Sequence, residues 1–282
     1  MVATNFSLCF LKSRRLKPAA TDLIDCPTRV VIMNQSKIIL QPAFVLHTRN
    51  YKDTSLLVEL FTLDHGRLSI LARGIRNARS KTYGLCKPFL PLLVSFGGKT
   101  DLPILQKIES TSLSYDLNGS VLLSSFYLNE LLMRLLNHHQ PYPDIYNIYQ
   151  QTLSNLASHS HLETTLRLFE KYLLKALGFG LQLDVTVNDE SILPEQEYKF
   201  EFGSGLMLAK FSGESNLDPA GWRRGTTRPG DQSPNFLGSS LLALHNNNLT
   251  TVRELKDAKR LLRAVLANLL GNKPLKSREL FL

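Results

Sequence analysis

The side chains best placed for chemistry are cations in a run without acids. From Arg67 to Lys99 there are seven basic residues (Arg67, Arg73, Arg76, Arg79, Lys81, Lys87 and Lys99) and no Asp or Glu. The centre of the run reads ARGIRNARSKTYG, and its Gly, Asn and Ser spacers mark a loop. A basic loop between two apolar segments suits phosphate oxygens. Its cations would displace the counterions condensed on nucleic acid and make affinity salt-sensitive. The alternative is a solvated loop kept basic for solubility.

Two further sets of cations fall at helical spacing. Arg167, Lys171 and Lys175 lie four apart, beside an apolar stripe of Leu162, Leu166, Phe169, Leu173 and Leu177. The apolar stripe reads as core packing. The basic stripe reads either as a solvated face or as the rim of a binding slot. Lys256, Lys259, Arg260 and Arg263 give the last long helical segment a strongly basic side, and the chain ends GNKPLKSRELFL.

Motifs for catalysis or cofactors fail on inspection. Phe96-Gly97-Gly98-Lys99-Thr100 ends like a phosphate-binding loop, but Leu93 stands where the first glycine is needed and a strand-like segment follows instead of a helix. Gly178-Phe179-Gly180 begins a dinucleotide pattern, but position 183 is Leu. His138-His139 and His159-Ser160-His161 have no Cys, Asp or Glu close in sequence, so they read as helix-end or surface histidines and no metal is expected. No Ser, His and Asp can be paired without a fold. The chain reads as a binding protein, not an enzyme, with no cofactor.

The composition agrees. The chain has 282 residues, 43% of them hydrophobic, and a net charge of +9, with no window near 18 uncharged apolar residues. That is enough apolar material for a core and too little in any one place for a membrane span. The charge is segregated: residues 41–109 carry +5, residues 110–252 carry −5 and residues 253–282 carry +5. Two basic blocks flanking an acidic middle suit a polyanion partner. Cys9, Cys26 and Cys86 are far apart with no CxxC, as in a reducing cytosol.

The elements that must carry these residues follow from periodicity. Residues 1–40 lack it and are expected to be a disordered extension. Ala43–Arg49, Ser55–Thr62, Arg67–Ala72, Phe89–Phe96 and Leu102–Ile108 read as five short strands, a sheet small enough to hide its edges best as a barrel over 41–110. Pro88 and Pro91 would sit at the start or edge of the fourth. From Val121 the period becomes helical: Val121–Asn137, Tyr142–Ala157, Leu162–Leu177, Leu241–Leu244 and Val252–Leu270. A hairpin is expected at 198–211 and a flexible insertion at 212–235. The class is α+β: a small barrel, then a mainly helical domain over 111–282.

Four segments together carry a family likeness: QPAFVLHTRNYKDTSLLVELFTLDHGRLSILARGIR (41–76), PFLPLLVSFGG (88–98), YLNELLMRLL (127–136) and NKPLKSRELF (272–281). They resemble the RecO family of bacterial recombination mediators, from about Pro42 to Phe281, interrupted at 212–235. The resemblance implies an N-terminal five-stranded OB-fold and a helical domain. It implies binding of single- and double-stranded DNA without sequence preference, and annealing of complementary strands. With RecR, such proteins help RecA replace single-stranded DNA-binding protein (SSB) in the bacterial cytoplasm at the nucleoid. The acidic, apolar SSB tail docks on the helical domain.

On this reading the phosphate contacts are Arg67, Arg73, Arg76, Arg79, Lys81 and Lys87, then Lys273, Lys276 and Arg278. Tyr51 and Tyr83 either stack on bases or are structural. The family's tail-binding arginine falls in an LRxFE segment and carries over to Arg167; Lys171 and Lys175 join it by spacing alone. Many members hold a four-cysteine zinc module after the third helix, whereas 178–222 has no Cys here, so zinc is expected to be absent. A second reading is an OB-fold RNA-binding accessory protein of the translation apparatus; tail binding discriminates the two.

Overall fold

The computed structural model describes residues 37–77, 80, 82–98, 102–158, 161–209, 234–271 and 275–277. The expected extension lies outside these residues up to position 36, and the expected insertion lies outside them up to 233. The ends of both stretches are regular structure: Ile38–Leu40 open the first strand and Asn235 opens the last.

Five strands, β1 (Ile38–Tyr51), β2 (Ser55–Thr62), β3 (Gly66–Ala72), β4 (Leu92–Gly97) and β5 (Ile104–Ser110), close a barrel in the order β1-β2-β3-β5-β4. This is an OB-type barrel. β1 is twice the expected length because it serves both halves, pairing with β4 through Ile38–Ala43 and with β2 through Ala43–Tyr51. Its register shifts at Ile38/Gln41 and Val45/His47, and the bends at such irregularities let one strand turn a barrel corner. β4 begins later than expected, at Leu92. Pro91 has no N–H for the ladder, and its carbonyl instead accepts the Thr111 N–H at 3.1 Å.

The apolar runs AFVL and LFT are buried on both faces. Val45, Val58, Leu60, Leu68, Ile70, Val94 and Phe96 fill the barrel, together with Cys86, whose thiol burial pushes up to about 11. Phe44, Leu46 and Phe61 point outward into a second core supplied by helices. There α1 (Gly119–Leu135) and α2 (Pro143–Ala157) cover the barrel wall. Phe44 meets Tyr149 edge-on at 5.2 Å and Phe61 meets Tyr146 at 5.5 Å. Burial of each such ring stabilises by roughly 1.5–3 kcal/mol. Asn129 donates to the Leu46 carbonyl at 2.9 Å and accepts from Tyr149 at 2.6 Å, so the buried polar groups at the seam are paired.

α3 (Leu162–Ala176) packs on α2, and the chain turns at Gly178 with φ +86°. Beyond it β6 (Glu197–Glu201) and β7 (Gly205–Leu208) make the expected hairpin, and β8 (Asn235–Leu237) pairs on the other side of β6. α4 (Gly238–His245) and α5 (Val252–Leu270) complete the helical part. α5 starts from a capping box, Thr251 Oγ1 accepting the Glu254 N–H while the Glu254 carboxylate accepts the Thr251 N–H. Among the described residues no helix is long and apolar enough to cross a membrane.

Candidate nucleic-acid interface

One end of the barrel gathers cations from two loops. Gly74, at φ +64°, turns the chain leaving β3 back toward the β1–β2 turn, a conformation an L side chain resists. The Arg76 N–H then donates to the Thr54 carbonyl at 2.9 Å, and Arg76 Nη1 to the Lys52 carbonyl at 3.4 Å. The Gly74 N–H reaches Ser55 Oγ at 3.5 Å. Lys52, Arg73 and Arg76 are thereby held on one rim. All three are exposed, and among the described residues none has a carboxylate within ion-pair distance. The Lys52 ammonium lies 5.7 Å from the Tyr51 ring, which faces solvent.

The loop after Arg73 continues over β5. Arg73, Ile75, Ser80, Thr82, Gln106 and Lys107 line a groove of about 410 Å³. Lys107 spans to Glu109 at 2.8 Å, an exposed pair that contributes little to stability. Lys87 is exposed just past a short 3-10 turn at Tyr83–Leu85. Tyr51, next to Lys52, and Tyr83 are exposed rings.

Arg67 stands apart. It is the second residue of β3 while Arg73 follows the strand's end, about 20 Å away along it. It is half-buried, its Nε has no hydrogen-bond partner, and its carbonyl accepts the His139 N–H at 2.8 Å. Burial draws its pKa down, and the Glu59 carboxylate, which accepts from Ser69, pulls it back up. The acid-free run is therefore not one patch. Arg79 and Lys81 lie outside the described residues, as do Lys99, Lys273 and Arg278.

Lys276 is exposed, and its backbone is fixed: Glu130 on α1 accepts the Lys276 N–H at 2.9 Å and the Ser277 N–H at 2.8 Å, with Arg134 at 2.8 Å from the same carboxylate.

The α3 cations prove to have three different surroundings. Arg167 is buried and lies 2.9 Å from Glu170, which also accepts from Tyr127 at 2.6 Å. Lys171 donates to the Leu244 and His245 carbonyls and to Asn247 Oδ1, at 2.8, 2.7 and 2.8 Å, so it caps the C-terminal end of α4. Burial lowers its pKa, and neighbouring Lys175 adds to the effect. Lys175 alone is exposed. Spacing put the three on one helix; only packing of α4 and α1 against it separates them. Among the described residues no group of His, Cys, Asp or Glu could hold a metal ion.

Lys52 is the contributor that sequence reasoning missed. The signal was present, a Tyr-Lys pair in a short turn between two strand patterns, but its approach to Arg76 depends on the barrel.

Comparison with known proteins supplies the family. The model for the N-terminal part of recombination protein O matches residues 33–113, and that for its C-terminal part matches 118–279. A DNA repair protein RecO from Coxiella burnetii is 42% identical over 245 residues, covering 86% of this chain and 98% of that one. The corresponding protein of Methylococcus capsulatus is 40% identical over 247 residues, covering 87% and 94%. That of Aliivibrio fischeri is 38% identical over 244 residues, covering 86% and 95%. With a closed barrel leading into a helical domain, and with matches running through both, the chain belongs to the RecO family of DNA repair proteins.

Proposed function

We propose that the chain is a non-catalytic recombination mediator. It binds single- and double-stranded DNA without sequence preference and anneals complementary strands. With RecR it helps load RecA onto SSB-coated single strands in the bacterial cytoplasm. The observation that carries this reading is the rim where Lys52, Arg73 and Arg76 converge without neutralising carboxylates among the described residues. In the sequence Arg79, Lys81 and Lys87 follow Arg76 as further candidate phosphate contacts, and Lys273, Lys276 and Arg278 form a second basic stretch. Phosphate contacts hold any sequence equally, as annealing requires. Arg67 is the weakest member, being half-buried and remote from the rim.

The SSB tail is assigned to the exposed side of α3. Lys175 supplies a surface cation there, whereas Arg167 is buried in its pair with Glu170 and reaches a tail carboxylate only if that pair opens. Lys171 enters only by fixing α4 against α3.

Salt titration tests the DNA reading. Affinity for a single strand should fall with log[salt] at about −0.7 per phosphate contact, and Lys52→Ala/Arg73→Ala/Arg76→Ala should make the slope shallower by about 2. A wild-type slope near zero would remove the proposal. For the tail, labelled peptide should bind Lys175→Ala more weakly than wild type; equal binding would move the site off α3.

A further inference from the structure

A strongly charged groove lies far from the barrel rim in sequence. α5 and the small sheet enclose about 710 Å³ lined by Arg253, Lys256, Lys259, Arg260 and Arg263, against two carboxylates, Glu197 and Asp257. The carboxylates are already engaged. Asp257 is buried and accepts from Arg260 at 3.2 Å, with Arg253 at 4.0 Å on its other side. Glu197 accepts from Asn235 and has Arg253 at 3.9 Å. Lys259 lies 3.5 Å from Glu163, an exposed pair that a ligand could replace at little cost. Lys256 and Arg263 are exposed with no ion pair among the described residues.

Position makes these charges a track and not a scatter. Residues 253, 256, 260 and 263 recur every three to four, so they share one helix face about 15 Å long. Each strand of a duplex carries a phosphate every ~3.4 Å of helix axis, so such a stripe spans about four. The capping box fixes the start of the track. Arg260 is held with its guanidinium 5.4 Å from the Phe236 ring. An acidic peptide with apolar anchors would need a hydrophobic slot, and Val252 is the one aliphatic side chain in the lining.

We propose that this groove is a second polyanion site that holds a nucleic-acid backbone independently of the barrel. The proposal rests on the reading of the chain as a nucleic-acid binder and deepens it: one strand lies on the barrel rim and another on α5, giving a single molecule two seats.

The test uses the full chain, a labelled non-complementary oligonucleotide, and three variants. These are the rim variant Lys52→Ala/Arg73→Ala/Arg76→Ala, the groove variant Lys256→Gln/Arg263→Gln, and their combination. The groove residues are exposed, so circular dichroism and melting should match wild type. The expected result is that the rim variant keeps residual binding, that adding the groove changes weakens it about tenfold further, and that the groove variant alone loses capture of a second strand. If the groove changes alter nothing in either background while the rim changes do, the α5 proposal is overturned and the barrel reading stands. If the groove changes remove all binding and the rim changes none, the α5 proposal stands and the barrel reading falls. If the wild type binds no oligonucleotide, both fall. If poly-glutamate binding, but not oligonucleotide binding, is lost in the groove variant, the surface docks protein and the proposal is overturned.

Discussion

The guanidinium of Arg167 lies 2.9 Å from the carboxylate of Glu170, one turn along α3, with 7% of the first side chain and none of the second exposed. An ion pair so deeply placed gives little net stability, yet removal of one partner is costly because the other remains charged without water. Arg167→Ala is expected to destabilise the chain by about 3–5 kcal/mol in urea unfolding. A loss below about 1 kcal/mol would show that the Tyr127 hydroxyl suffices for Glu170. Loss of SSB-tail binding in this variant must therefore be measured on protein shown to be folded, and Lys175→Ala is the cleaner probe of the surface.

The tip of the β2–β3 turn is jammed against the helical layer. Gly66 sits at φ +64°, and a Cβ there would stand 1.8 Å from the Gln140 carbonyl oxygen. Both the backbone conformation and the contact exclude a side chain. Gly66→Ala should cost at least about 2 kcal/mol. It should also open the chain between barrel and helices to limited proteolysis. A melting temperature within about 1 °C of wild type would mean that the two layers can slide apart freely.

The same joint is expected to soften in mild acid. His65 and His138 are both held below the usual 6.5, chiefly by burial. Asp64 opposes the effect at His65 and His139 adds to it; at His138 the Arg67 charge adds to it, Glu59 opposes it and His139 adds again. With folded pKa values below the unfolded one, the unfolded chain binds protons first. The stabilisation is therefore complete above 6.5 and is lost as pH falls through the lower folded values. Protection of the His139 N–H, which donates to the Arg67 carbonyl, should fall as pH drops below 6.5, and fall less in His138→Gln. Constant protection after correction for intrinsic exchange would contradict this.

Glu130 is a clip for the chain at 276–277. Burial, the largest single influence on its carboxyl, pushes the pKa up. The hydrogen bonds from Ser277 and Lys276 and the charge of Arg134 outweigh that and hold it below the ordinary 4.5. Its contribution is therefore present at neutral pH and lost as pH drops through the lowered value. Glu130→Gln should reduce protection of the Ser277 N–H at least about tenfold at neutral pH, the scale of one charge-assisted hydrogen bond. An unchanged rate would mean that other contacts hold this segment.

Much of the architecture was legible because local pattern and global fold agree. Ser55–Thr62 and Val252–Leu270 match their expected limits, since each is bounded by turn or cap residues that act within a few positions. β8 was not legible: three residues, Asn235–Leu237, carry no period, and only pairing with β6 makes them a strand. Nor was the split of AFVL between two cores, because an apolar run buried on both faces does not say which side meets which partner.

Residue types and spacing by themselves determined the class, the order of barrel and helices, and the presence of basic loops, because periodicity and charge are local properties. The tertiary structure alone decided which cations are free. It set Arg76 beside Lys52, half-buried Arg67, buried Arg167 against Glu170 and turned Lys171 onto the end of α4. A charge's availability depends on what packs within a few ångströms of it, and in a folded chain those neighbours come from positions far away in sequence.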